Sequence, residues 1–115
     1  MDIIVNQNRG DIAVIRLKGN LDLASGSVVR QRLTEAIAAG RRYLVIDLVD
    51  VPFIDSSGLA ALISGLKTAR LAGGDLRIAR PGDQARVILE LTRLDRVLRS
   101  YATVEAAVAG YGDGG

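Results

Sequence analysis

The sequence of 115 residues contains neither cysteine nor histidine. Without cysteine there is no disulfide bond, and nothing indicates an oxidising compartment. Without histidine the chain lacks the commonest general base and the commonest metal ligand. Together the two absences exclude Ser-His and Cys-His catalytic arrangements and the usual zinc sites. We therefore expect a protein that is not an enzyme and that has no cofactor or metal site.

Aromatic residues are also scarce, with three tyrosines, one phenylalanine and no tryptophan. Hydrophobic residues nevertheless make up 49% of the chain. The core must therefore be built from isoleucine, leucine, valine and alanine. This length fits a single domain with one core.

Neither a strong charge nor a long apolar run is present. Fifteen basic residues against 13 acidic ones give a formal net charge of +2, and the arginines are scattered. This pattern argues against a nucleic-acid partner. No apolar run reaches the ~18 residues of a membrane span, and the start does not resemble a signal peptide. We expect a cytoplasmic protein that binds no membrane.

The apolar pattern predicts strands alternating with helices. Residues 2–5 and 12–19 predict a hairpin, the nearly continuous run 43–48 predicts a central strand covered on both faces, residues 75–79 predict a further strand, and 95–102 can hold a short edge strand. Apolar residues at helical spacing predict a helix between each pair of later strands and a last one after Thr103.

This order predicts the α/β class: one small mixed sheet of four to five strands, flanked by helices. The predicted stripes of the first three helices are Val29, Leu33, Ala36 and Ile37, then Leu59, Leu62, Ile63 and Leu66, then Ala85, Ile88 and Leu91. The domain is predicted to span residues 1–110. The glycine-rich end, 111–115, is predicted to be a disordered tail.

The stretch "VPFIDSSGLAAL", residues 51–62, is the first candidate site. Asp55, Ser56 and Ser57 stand where the central strand gives way to a helix. A purely structural interpretation is an N-cap, since Asp and Ser oxygens accept from the free N–H groups of a first turn. One residue suffices for a cap, however, and the turn follows a central strand, where open α/β sheets place their sites.

A hydroxyl at a helix start suits phosphorylation, because a phosphate there meets free N–H donors and the positive end of the helix dipole. Repulsion from Asp55 costs about 1 kcal/mol for exposed charges some 4 Å apart in water. The attraction between the phosphate and the helix dipole offsets this cost by about 0.3–1 kcal/mol. We therefore expect a phosphate to act on a partner surface rather than on the fold.

The loop "GNLDLASG", residues 19–26, is the second candidate site. Its structural interpretation is a turn in which Ser25 caps a helix that begins near Gly26. Its functional interpretation places Asp22 at the same edge of the sheet as Ser56. Position in the sequence alone does not decide between the two.

Two segments resemble the STAS domains of anti-sigma factor antagonists. These are "GNLDLASGSVVRQRL", residues 19–33, and "LVIDLVDVPFIDSSGLAALISGLKTARLAGGDLRIA", residues 44–79. In that family a G-E-L-D loop precedes a helix and a strand, and a D-S-[ST]-G turn opens the next helix. Asp22 and Ser56 are 34 residues apart, a spacing similar to that of the family.

The resemblance implies a small mixed sheet flanked by helices and a role in partner switching. The unphosphorylated antagonist binds an anti-sigma factor, which is also a GHKL-type serine kinase, and so frees a sigma factor. The kinase phosphorylates the serine matching Ser56, and a PP2C-like phosphatase reverses this. Asp22, Asp55, Ser57 and Gly58 match the family's partner-binding positions. Asn20 replaces the usual acid and changes the charge of the contact face.

Two alternatives share parts of this pattern. A STAS subunit of a stressosome or of a transporter-associated assembly has the same fold but other partners. A receiver domain phosphorylated on aspartate would use Asp47, Asp50 or Asp55, but it also needs paired acids after the first strand to hold Mg²⁺, and "NQNRG" has none.

Overall fold

The computed structural model describes residues 1–114 and contains one five-stranded sheet. The strands, in chain order, are β1 (Asp2–Arg9), β2 (Ile12–Lys18), β3 (Tyr43–Asp50), β4 (Asp75–Ala79) and β5 (Ser100–Tyr101). The helices are α1 (Leu23–Ala38), α2 (Ser56–Leu71), α3 (Asp83–Leu91) and α4 (Val104–Gly114), with a 3₁₀ turn at Leu94–Arg96. The predicted fold class and element order are confirmed.

The strands lie side by side in the order β1-β2-β3-β4-β5. The hairpin β1–β2 is antiparallel and every later pair is parallel. The parallel strands therefore end at one edge of the sheet, and the loops that follow β2 and β3 leave from that edge. The apolar strand β3 is central, as predicted.

Alternation along the strands divides the core into two clusters. Ala13, Ile15 and Leu17 on β2 face a large cluster that includes buried residues of α1, α2 and α3. Ile12 and Val14 face a smaller cluster with α4. Helices therefore pack on both faces of the sheet.

Two helices differ from the pattern predicted by their apolar residues. Helix α1 begins at Leu23, three residues earlier than expected, because Asp22 rather than Ser25 is its N-cap. In α3, Leu91 is 79% exposed and the neighbouring Leu89 is buried. Residues Ala85 and Leu89, one turn apart, form the inner stripe of this short helix, so Leu91 points away from the core.

The last helix crosses the predicted domain end at residue 110. Tyr111 is buried against the second face of the sheet, and its hydroxyl donates to the Leu44 carbonyl at 2.8 Å. The Arg77 guanidinium lies 4.0 Å from the Tyr111 ring centre, and burial raises the pKa of the Tyr111 hydroxyl. Tyr111 is thus part of the packed domain, and Gly115 lies outside the described residues.

Substitution of Tyr111 tests whether the chain end supports the domain. We expect Tyr111→Ala to lower the free energy of unfolding by about 3 kcal/mol, because a buried ring is removed. Tyr111→Phe keeps the ring and removes the hydrogen bond to the Leu44 carbonyl, so we expect a loss of about 1 kcal/mol. Urea unfolding followed by circular dichroism measures both. A Tyr111→Ala midpoint equal to that of the wild type would contradict this packing role.

Candidate functional site

The loops after β2 and β3 are joined by backbone hydrogen bonds at the carboxyl edge of the sheet. Leu21 forms an isolated parallel bridge with Ile54. The Leu21 N–H donates to the Phe53 carbonyl at 2.9 Å, and the Asp55 N–H donates to the Leu21 carbonyl at 3.2 Å. The two candidate segments are therefore held together as a short extension of the β2–β3 pair.

Asp55 caps α2 and leaves the two serines free of that task. Its Oδ1 accepts from the Gly58 N–H at 2.9 Å, and its backbone is extended, as at a typical N-cap. Ser56 is the first helical residue and is exposed, whereas Ser57 is half-buried. The N–H groups of both serines lie in the first turn, where no helical carbonyl precedes them.

The Ser56 hydroxyl makes no hydrogen bond with any residue in the described part of the chain. It contributes nothing to the cap, since the Asp55 carboxylate already satisfies the Gly58 N–H. The Ser56 residue is exposed to solvent. A modifying enzyme can reach this oxygen without unfolding α2.

Gly58 is required by the close approach of the two loops. A Cβ at this position would lie 2.2 Å from the Leu21 carbonyl oxygen, well inside van der Waals contact. The Leu21 carbonyl also accepts from Asp55, so it cannot move away without breaking that bond. The glycine of the D-S-S-G turn therefore acts through packing: it lets α2 begin directly against the first loop.

Asp22 caps α1 in a reciprocal arrangement with Ser25. The Asp22 Oδ1 accepts from the Ser25 N–H at 3.1 Å, and the Ser25 Oγ accepts from the Asp22 N–H at 2.9 Å. The Ser25 hydroxyl also donates to the Asn20 carbonyl at 2.8 Å, which fixes the loop. The structural interpretation in which Ser25 is the cap was wrong: Ser25 is the third residue of the helix and pairs with the N-cap Asp22 in a capping box.

The charge of Asp22 is stabilised by this cap. Hydrogen bonds from the backbone and side chain of Ser25 lower the pKa of the Asp22 carboxyl. The carboxylate is therefore ionised throughout the neutral range. Asp22 gives the loop a permanent negative charge beside exposed Asn20.

The starts of α1 and α2 lie side by side. A Cβ added to Gly26 would be 3.4 Å from the Ser57 carbonyl oxygen, an ordinary contact. All six predicted site residues are thus brought to one end of the sheet, with buried Gly58 beneath the exposed or half-buried others: Asn20, Asp22, Asp55, Ser56 and Ser57.

Two exposed apolar residues beside the serine turn were not predicted. Leu23 is 76% exposed at the start of α1, and Phe53 is 45% exposed just before the turn. A groove of about 180 Å³ between the helices is lined by Leu23, Gly26, Ser27, Arg30, Ser57 and Ala60. The available signal was a leucine directly after an N-cap, where a polar residue is more usual. We call Leu23, Phe53 and the six predicted residues the serine-turn surface.

The other acids near β3 are occupied by ion pairs. Buried Asp47 accepts from Arg80, which also contacts it through a second guanidinium nitrogen, and Asp50 pairs with Arg16 at 2.6 Å. Among the side chains that the structure describes, no group of three acids could hold a metal ion. The aspartates of a receiver-type site are therefore committed to structural contacts.

Among the described helices, none combines the length and apolar content of a membrane span.

Replacement of Gly58 tests the close approach on which this site rests. We expect Gly58→Ala to destabilise the protein by about 2 kcal/mol or more, because the added methyl meets the Leu21 backbone and forces the two loops apart. Gly26→Ala is the matched control: its methyl makes only ordinary contacts and gains helix propensity. Thermal unfolding compares the two variants, and equal melting temperatures would contradict the packing role of Gly58.

Relatives with known names match nearly the whole chain. The anti-sigma-B factor antagonist of Bacillus subtilis is 29% identical over 108 residues, which cover 94% of this chain and 97% of the relative. The crystal structure of an anti-sigma factor antagonist from Mycobacterium paratuberculosis superposes with a TM-score of 0.84 at 26% identity, over 95% of this chain and 92% of the other.

The fold is also that of SpoIIAA, a cell fate determinant of Bacillus, whose structure is known in the phosphorylated form. That structure has a TM-score of 0.75 and 20% identity, over 96% of this chain and 99% of the other. The sequence profile of the STAS domain matches residues 3–107. With the sheet order, the serine turn and this match in agreement, the chain belongs to the STAS domain family.

Proposed function

We propose that this protein is an anti-sigma factor antagonist whose binding is switched by phosphorylation of Ser56. In the unphosphorylated state it binds an anti-sigma factor through the serine-turn surface, and the sigma factor held by that partner is released. The observation that carries the proposal is the exposed hydroxyl of Ser56 beside the Asp22 loop, at the start of a helix that Asp55 already caps.

The proposed modification is transfer of the γ-phosphoryl group of ATP to the Ser56 oxygen. The O–P bond to Ser56 forms as the bond to ADP breaks, and the hydroxyl proton passes to a base of the kinase. The anti-sigma factor itself, as a GHKL-type serine kinase, is the proposed catalyst. A PP2C-like phosphatase returns the free hydroxyl by hydrolysis.

The physical effect of the phosphate is electrostatic. It adds about −1.5 to −2 charges at neutral pH next to Asp55 and close to Asp22. The helix start offers the free N–H groups of its first turn, so the phosphate is accepted without unfolding α2. A partner that packs on Leu23 and Phe53 would have to bury this charge, which is costly without a matching cation.

The composition supports a regulator and not an enzyme. The chain has no histidine or cysteine, and its acids near β3 are held in ion pairs or in a cap. The Bacillus subtilis relative carries the name of an antagonist, and a protein of the same fold is known in a phosphorylated form. Because sigma factors act on RNA polymerase in the cytoplasm, the proposal places the protein there.

Phosphorylation of single-serine variants tests the site. Incubated with its cognate kinase and ATP, the wild-type protein is expected to gain one phosphate per chain. We expect Ser56→Ala to gain none and Ser57→Ala, the matched control with one hydroxyl removed, to be labelled, because Ser56 is exposed whereas Ser57 is half-buried. Intact-protein mass spectrometry measures this. Phosphate on Ser56→Ala would contradict the assignment.

Charge at position 56 tests the switch without the kinase. We expect Ser56→Asp to weaken binding to the anti-sigma factor by about tenfold or more, because a carboxylate enters the contact face. Thr103→Asp adds the same charge at the N-cap of α4, on the other face of the sheet, where Asp remains a good cap. Isothermal titration calorimetry gives both dissociation constants. Equal constants for the two variants would rule the electrostatic mechanism out.

A further inference from the structure

The serine turn is held from a second side by a side chain of α3. The Ile54 N–H donates to the Gln84 Oε1 at 2.8 Å, and the Gln84 Nε2 donates to the Ile54 carbonyl at 2.8 Å. A primary amide has one acceptor and two donors, and here it pairs with the backbone as a neighbouring strand would. This pair lies two residues before Ser56.

Ile54 is fully buried, so its two backbone groups depend on this amide. The adjacent groups of Phe53 and Asp55 bond to Leu21 on the opposite side. Phe53 and Asp55 therefore bond to the Leu21 backbone on one side, and Ile54 between them bonds to the Gln84 side chain on the other. Buried backbone groups without partners are rare because they lose their water without compensation.

Gln84 is itself well anchored. It is the second residue of α3, and the next residue, Ala85, is buried in the large core cluster together with Leu89. The preceding Arg80 bonds Asp47 on β3 and donates its N–H to the Tyr101 carbonyl. The Gln84 amide therefore fixes the position of the serine turn relative to the packed sheet.

We infer that Gln84 is a positioning residue for phosphoryl transfer to Ser56, acting through its two hydrogen bonds to the Ile54 backbone. The inference rests on the proposed function. In-line attack requires the Ser56 oxygen to be held in a narrow range of orientation, and a displacement of about 1 Å can cost on the order of a hundredfold in rate. Gln84 does not need to touch the kinase or ATP to have this effect.

The predicted kinetic signature is a fall in kcat with little change in KM. Asn20, Asp22 and Leu23 of the serine-turn surface belong to the other loop, and the Phe53 carbonyl still accepts from the Leu21 N–H, so we expect binding to be largely retained. The orientation of the Ser56 hydroxyl affects the transition state of phosphoryl transfer and not the binding of the protein to the kinase. A loss of transition-state interactions alone lowers kcat and kcat/KM together.

Gln84→Met tests this, because methionine has a similar length but neither donates nor accepts strongly. We expect kcat for phosphorylation by the cognate kinase to fall roughly tenfold and KM to change by less than about threefold. Gln31→Met is the matched control, since among the described residues the Gln31 amide bonds the exposed Glu35 side chain of its own helix and no other group. We expect it to keep the wild-type kcat.

Val108→Ala controls for stability, because it removes buried volume on the opposite face of the sheet. All variants are assayed at a temperature where circular dichroism shows them folded. A fall in kcat in Val108→Ala equal to that in Gln84→Met would overturn the inference. If Gln84→Met does not fold, Gln84→Glu takes its place, because it keeps an acceptor for the Ile54 N–H and replaces the donor to the Ile54 carbonyl by a charged carboxylate oxygen.

Hydrogen exchange gives a readout that needs no kinase. We expect the Ile54 amide of Gln84→Met to exchange roughly tenfold faster or more, with Gln31→Met unchanged. Wild-type exchange at Ile54 in Gln84→Met would overturn the inference, as would a wild-type kcat while the wild-type protein is phosphorylated. A wild-type protein that takes no phosphate would instead refute the proposed function, whatever the exchange at Ile54.

Discussion

The pairing of Leu21 with residues 53–55 is the constraint on which the candidate site depends. It extends the parallel register of β2 and β3 beyond the regular strands and brings together two loops that lie far apart in the sequence. The approach is close because residue 58 has no side chain to obstruct the Leu21 carbonyl. Without this pairing, the Asp22 cap and the Ser56 hydroxyl would lie on two independent loops and would not share one surface.

The architecture separates the stability of the fold from the chemistry of the serine turn. Seven residues of α2 are buried, and the cap of that helix is supplied by Asp55. Ser56 contributes to neither, so a charge can be added there or removed without a large change in the free energy of folding. Under the proposed function, this separation would let the phosphorylated and unphosphorylated states keep the same backbone and differ in the surface that they present.

The aspartates around β3 show how similar residues take different roles through their surroundings. Asp47 is buried and paired with Arg80, Asp50 is paired with Arg16, and Asp55 accepts from a backbone N–H. Each carboxylate has a structural partner, so none is left to form a phosphoaspartate or cation site. Among the described residues, the side chains in the first turn of α2 that lack a hydrogen-bond partner are the hydroxyls of Ser56 and Ser57, which supports the proposed serine modification.

The sequence by itself determined the fold class, the order of the elements, the central position of β3 and the serine turn, because apolar period and turn residues are local signals. It did not determine the start of α1, where Asp22 and Ser25 both suit a cap, or which side of α3 is buried. Nor did the sequence show that Tyr111 packs against the second face of the sheet, since Tyr111 lies between two glycines in the chain. Only the tertiary structure decided that Asp22 and Ser56 share a surface and that Gln84 reaches Ile54, because these contacts depend on strand register and helix placement across 30 or more residues of chain.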